Sequence, residues 1–104
     1  MKVLTEGHKY ELKSFEGGVP QTLQFIEKVQ EVSGALVTVN DGTTNEEVLS
    51  VLINRLRNLN AKFPCRENSI VITKLEESLM WLERRTQLRK AQGVEGKQLN
   101  HKES

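Results

Sequence analysis

Residues 43–89 read TTNEEVLSVLINRLRNLNAKFPCRENSIVITKLEESLMWLERRTQLR and hold two apolar stripes of helical period, one on each side of Phe63-Pro64-Cys65. Thr44 lies three residues before Glu47, the spacing of a capping box, in which a hydroxyl and a carboxylate satisfy otherwise orphan backbone amides. Beyond it Leu49, Leu52, Leu56, Leu59 and Phe63 recur at steps of three and four, which predicts one narrow apolar face. Pro64 lacks an amide hydrogen and disfavours helical geometry in the residue before it, so the first helix is expected to stop near Phe63. The stripe returns as Ile72, Leu75, Leu79, Leu82 and Thr86, widened by Ile70, Val71, Met80 and Trp81. Two stripes of equal period joined by a short connection predict an antiparallel helical hairpin over about residues 44–92. A lone hairpin leaves part of each apolar face open. The rest of the chain, or copies of it, must cover what is left.

Upstream the period changes from helical to two. His8 to Phe15 alternates, with Tyr10 and Leu12 on one side and Lys9, Glu11 and Lys13 on the other, which predicts a half-buried strand. Glu16-Gly17-Gly18-Val19-Pro20 has turn chemistry. Gln21 to Val29 is read as a second strand, Ser33-Gly34 as a turn, Ala35 to Val39 as a third strand and Asn40-Asp41-Gly42 as its close. The expected fold is therefore α+β: a small N-terminal antiparallel β-meander over about residues 8–40, then the hairpin. Residues 1–92 are expected to form a single domain, because neither part has enough core alone. Residues 93–104 are polar and rich in glycine and charge, and are expected to be a flexible tail.

Composition narrows the partners. Hydrophobic residues are 37% and charged residues 28% of the 104, with a formal net charge of +1. No bulk electrostatic attraction to a nucleic-acid polymer or a membrane surface is expected, so anion binding must come from local clusters of basic residues. The single cysteine, Cys65, excludes an intramolecular disulfide and fits a reducing cytoplasm. Met1 to Gly7 lacks the apolar run of a signal peptide, and no apolar run reaches the roughly 20 residues that span a bilayer.

Reactive constellations are absent from the pattern. His8 and His101 stand far apart with no metal-ligand partner at motif spacing, so no metal is expected. Cys65 has no histidine placed to activate it and reads as a small apolar residue in the bend. The glycines form neither a dinucleotide fingerprint nor a P-loop, and Glu76, Glu77 and Glu83 read as a solvated helix face paired with basic neighbours at i,i+4. No catalytic residue and no cofactor is expected. The chain does not read as an enzyme.

Two polar features stand out. The break Lys62-Phe63-Pro64-Cys65-Arg66-Glu67-Asn68-Ser69 puts Lys62, Arg66 and Asn68 at the start of the second helix, where free amides and the positive dipole end favour an anion. Ordinary capping by Asn68 or Ser69 explains the same residues. Arg84, Arg85, Arg89 and Lys90 gather at the end of the second helix, with Arg85 and Arg89 at i,i+4 on one face. Cations at a helix C-terminus also simply complement the dipole. In an antiparallel hairpin the two features lie at opposite ends. Only oligomerisation would bring arginine pairs from several chains around one ligand.

The segments Thr43-Thr44-Asn45-Glu46-Glu47-Val48-Leu49, Leu59-Asn60-Ala61-Lys62-Phe63-Pro64-Cys65-Arg66-Glu67-Asn68-Ser69, Thr73-Lys74-Leu75-Glu76-Glu77 and Trp81-Leu82-Glu83-Arg84-Arg85-Thr86 resemble a hairpin domain shared by two groups of phage immune-evasion proteins. One group counters Thoeris defence, the other CBASS. With Tyr10-Glu11-Leu12 and Gln24-Phe25-Ile26-Glu27-Lys28 before it, the chain is more similar to the anti-Thoeris sponge group. The resemblance implies a homo-oligomer, commonly a hexamer, in the cytoplasm of the infected bacterial host. It would sequester a signalling nucleotide without cleaving it: glycocyclic ADP-ribose, with cyclic di- or trinucleotides as candidates for a second site. It further implies that Arg66 and Asn68 belong to an ADP-ribose pocket and that Arg85 and Arg89 grip cyclic-nucleotide phosphates from several subunits. Phe63 and Thr86 complete the implied ligand-binding set. Asn58 stands where relatives often carry an aromatic base-stacking residue.

Three other readings compete with it. A structural or protein-interaction hairpin would need no small-molecule ligand. A phosphohydrolase would need clustered metal ligands, and a DNA-binding protein a basic recognition helix; neither is visible.

Overall fold

The computed structural model describes residues 1–92 of the 104. They are α+β as expected: five strands, β1 (Lys2–Thr5), β2 (Lys9–Leu12), β3 (Gln21–Gln24), β4 (Glu27–Gln30) and β5 (Leu36–Asn40), then two helices, α1 (Asn45–Lys62) and α2 (Arg66–Ala91). The expected tail, 93–104, lies outside the described residues. The chain divides into two compact units, the β-segment Met1–Thr44 and the hairpin from Asn45 onward.

The β-segment is not a single three-stranded meander. It holds an antiparallel sheet in the order β1-β2-β3 and a separate antiparallel pair, β4-β5. Two departures from the expected pattern produce this. First, β1 forms where no strand was expected, with Val3 opposite Tyr10 and a bulge before Thr5 pairs with Lys9. Its four residues are all exposed, so no half-buried alternation betrays it. Gly7, at φ 78°, makes the tight return to β2, and the His8 amide donates to the Thr5 carbonyl at 3.0 Å.

Second, the expected strand over Gln21–Val29 is cut at Phe25-Ile26. β3 pairs with β2, Tyr10 opposite Leu23, and β4 pairs with β5, Val29 opposite Val37. Between them the Phe25 amide still reaches back to the His8 carbonyl at 2.7 Å, but the Ile26 amide donates to the Thr43 carbonyl at 2.9 Å. Thr43 returns the contact through its own amide to the Gln24 carbonyl, also at 2.9 Å. The chain thus exchanges one partner strand for another at two consecutive apolar residues. Gly42 passes so close here that an added Cβ would lie 2.4 Å from the Gln24 carbonyl oxygen. The Phe25 ring meets Tyr10 edge-on, centroids 6.0 Å apart. In the loop after β2, the Ser14 hydroxyl donates to the Val19 carbonyl and closes the expected turn.

α1 begins one residue after Thr44, where a capping box places its first helical residue, and ends at Lys62, ahead of Pro64. α2 presents the expected stripe, with Ile72 9% exposed and Leu75, Leu79, Leu82 and Thr86 half-buried, but Ile70, Val71, Met80 and Trp81, expected to widen it, are exposed. On α1 the expected stripe holds at Leu49 and Leu56 and fails at Leu52, Leu59 and Phe63. Ile53, at 5% exposure, fills the centre of the seam with Leu49, Leu56 and Asn60, while Leu52, Leu59 and Phe63 remain exposed. Leu52 and Leu59 stand about 100° round the helix from Ile53 and Asn60. The polar contacts across the seam fix this rotation. Asn60 Nδ2 donates to Ser69 Oγ at 3.2 Å, and Arg57 is ion-paired with Glu76. Glu76 is therefore paired across the hairpin and not, as expected, with a basic neighbour on its own helix.

Candidate functional site

The hairpin bend is built by Asn60 and Cys65. Pro64 forces the chain out of helical geometry, and Cys65 adopts an extended conformation (φ −150°, ψ 155°) before α2 starts at Arg66. The Cys65 sulfur accepts the Asn68 backbone N–H at 3.4 Å, so Cys65 is the N-cap and is exposed. This corrects two expectations. Asn68 and Ser69 lie within the first turn of α2 instead of capping it, and Cys65 is an open capping residue instead of apolar filling. Asn60 Oδ1 accepts the Cys65 amide at 3.0 Å, and Ser69 Oγ donates to the Cys65 carbonyl at 3.4 Å. One asparagine thus ties the last turn of α1 to the first turn of α2. Around this knot Phe63 is 77% exposed, Arg66 is exposed and Asn68 is half-buried.

The second group lies far along α2. Arg85 is exposed, while Thr86 and Arg89 are half-buried. A concavity of about 260 Å³ lies here, lined by Glu46, Glu83, Thr86, Gln87 and Lys90. At 1.5 Å of rise per residue, Asn68 and Arg85 are about 25 Å apart along the helix axis. The two groups therefore cannot meet on one small ligand within one chain.

Asn58 belongs to neither group. Its Nδ2 donates to the Asn54 carbonyl one turn back at 2.9 Å. It lines an open groove of about 790 Å³ with Glu47, Val51, Asn54, Arg55 and Lys62, all of them α1 residues. This side of α1 is turned away from the seam. A third concavity, about 390 Å³, lies along the seam and includes Arg57, Glu76 and Met80. All three are open to solvent, and the surface left uncovered on the hairpin is apolar at Val51, Leu52, Phe63, Met80 and Trp81.

Asn60 and Arg57 escaped the sequence reading as organising residues. Asparagine near a helix end is a weak signal, and a pair separated by a bend has no fixed spacing to search for. Among the described residues no group of three histidine, cysteine or carboxylate side chains gathers to hold a metal. His101 lies outside the described residues. No described helix is long and apolar enough to cross a membrane.

The family described as "Acb2/Tad1, hairpin domain" matches residues 25–87, that is 63 of the 104, taking in β4, β5, α1 and most of α2. A curated relative, "Thoeris anti-defense 1" of Bacillus phage SBSphiJ7, is 44% identical over 80 residues, covering 65% of this chain and 56% of the relative. The match thus spans little more than half of that protein's length.

Proposed function

The chain belongs to the Acb2/Tad1 hairpin-domain family, and on that footing we propose that it is a phage anti-defence sponge. It binds the cyclic nucleotide signal of bacterial immunity and holds it without cleavage, so that the defence effector is never activated. The preferred signal is glycocyclic ADP-ribose, the Thoeris messenger, with cyclic di- and trinucleotides as further ligands. It acts in the cytoplasm of the infected host.

The observation that carries this reading is the family match, which includes Asn58, Phe63, Arg66, Asn68, Arg85 and Thr86 and stops two residues short of Arg89. The chemistry supports it. Arg66 and Asn68 stand on the first turn of α2, where backbone amides and the helix dipole favour an anion, and Phe63 offers an open ring beside them. Arg85 and Arg89 carry planar guanidinium forks that match phosphate oxygens in pairs. Asn58 adds a carboxamide in its own groove. The two groups are too far apart for one ligand and each is open in a single chain. That spacing favours a homo-oligomer in which several copies enclose each ligand, and the family resemblance implies that it is a hexamer. Enclosure between subunits slows release, which a sponge needs more than it needs reactive groups.

The exposed apolar surface also favours a second reading, a hairpin whose only role is assembly. Native mass spectrometry separates the two. A sponge gains the mass of intact glycocyclic ADP-ribose, and the nucleotide released by denaturation is unaltered. A ligand recovered hydrolysed, or no ligand mass at all, contradicts the proposal.

A further inference from the structure

Trp81 stands off the stripe that α2 turns toward α1 and is 59% exposed. Four residues on is Arg85, exposed, and four beyond it Arg89, half-buried. Each step of four is about 6 Å along the axis with a small rotation, so neighbours in this row are within side-chain reach. Arg85 makes no ion pair with any described residue. Four residues before Trp81 stands Glu77. Along α2 the row is therefore carboxylate, indole, guanidinium, guanidinium.

A nucleotide has the same scale and the same polarity: a flat base at one end and an anionic phosphate one sugar away. An open indole offers a stacking face to any base, and a guanidinium one turn away reaches the phosphate that the base brings with it. Glu77 repels phosphate at the other end, which fixes the direction. We infer that Trp81 is the stacking platform for a nucleobase of a cyclic oligonucleotide whose phosphates Arg85 and Arg89 hold. The inference rests on the proposed phosphate-gripping role of those two arginines. An apolar partner helix would complement the row less well, because it would desolvate Glu77 and Arg85 on either side of the indole.

Trp81 is the chain's single tryptophan, so its emission reports on this position alone. The full chain is titrated with cyclic triadenylate, and separately with glycocyclic ADP-ribose, while native mass spectrometry follows ligand mass and copy number. Cyclic triadenylate is expected to quench the emission saturably. Trp81→Ala should weaken its binding at least about tenfold, with copy number unchanged, and Trp81→Phe should recover most of the affinity. Cyclic triadenylate bound with unchanged emission and unaltered affinity in Trp81→Ala overturns the inference and leaves the phosphate role of the arginines standing. A loss of copies in Trp81→Ala assigns the surface to a second chain and overturns it as well. If wild type gains glycocyclic ADP-ribose but never cyclic triadenylate, the inference and that arginine role fall together while the sponge reading survives.

Discussion

Cys65 does the work that serine or aspartate does at most helix starts. Sulfur is a weak acceptor, so its 3.4 Å contact with the Asn68 amide is a poor version of a hydroxyl cap. Cys65→Ser should hold or raise the thermal midpoint, and Cys65→Ala should lower stability by up to about 1 kcal/mol. A serine variant as damaged as the alanine variant would contradict the capping role. Asn60→Ala removes the acceptor of the Cys65 amide and the donor to Ser69, so it should cost about 1–2 kcal/mol by chemical denaturation. Arg85 and Arg89 are predicted to act on ligand and not on fold. Arg85→Ala with Arg89→Ala should weaken cyclic oligonucleotide binding at least about tenfold by calorimetry while the helical circular dichroism signal is kept. An unchanged affinity would contradict the phosphate-gripping role of these two arginines. The placement of these arginines four residues apart on α2 was legible in the sequence because i,i+4 spacing on a helix is a local fact. The cap at Cys65 was not, because Asn68 and Ser69 are better cap formers by propensity and only the extended backbone at Cys65 decides among the three.

At the scale of elements, the sequence was most informative where the deciding interaction is local. Thr44 before Glu47, Pro64 after Phe63, and the row Ile72, Leu75, Leu79, Leu82 and Thr86 mark the hairpin without reference to anything distant. The rotation of α1 was not local. Leu52 and Ile53 are equally apolar, and the choice between them is made by Asn60 with Ser69 and Arg57 with Glu76, pairs 9 and 19 residues apart. The exposed Arg57–Glu76 pair itself contributes no more than about 1 kcal/mol, so its part is to choose a rotation more than to hold the helices together. Ile53→Ala should cost about 2–4 kcal/mol by chemical denaturation of the full chain, and more than Leu52→Ala. The strand break at Phe25-Ile26 was hidden for the same reason: Thr43 supplies the new partner from beyond β5. Gly42→Ala tests that junction. Its new methyl group meets the Gln24 and Phe25 backbone, so stability should fall by about 1–3 kcal/mol, and hydrogen exchange should quicken at the Ile26 and Thr43 amides. Unaltered exchange at those two amides would show that the crossing is not held there.

At the scale of the whole molecule, the described chain buries only two large apolar side chains almost fully, Ile53 and Ile72. Val51, Leu52 and Met80 stay open, a pattern suited to a chain that completes its core by association. We therefore expect residues 1–92 to melt in one transition with the oligomer, at a midpoint that rises with protein concentration. Two separate transitions would mean that the β-segment and the hairpin fold independently. The proposed enclosure of a ligand between copies depends on faces that a single chain leaves empty, so the residues alone did not carry it and only the family resemblance implied it. In a sponge of this kind, association and capture of an unaltered signal go together. Native mass spectrometry of the full chain with glycocyclic ADP-ribose addresses both at once. A hexamer carrying intact ligand masses is the predicted result; a monomer or dimer that gains no ligand would contradict it.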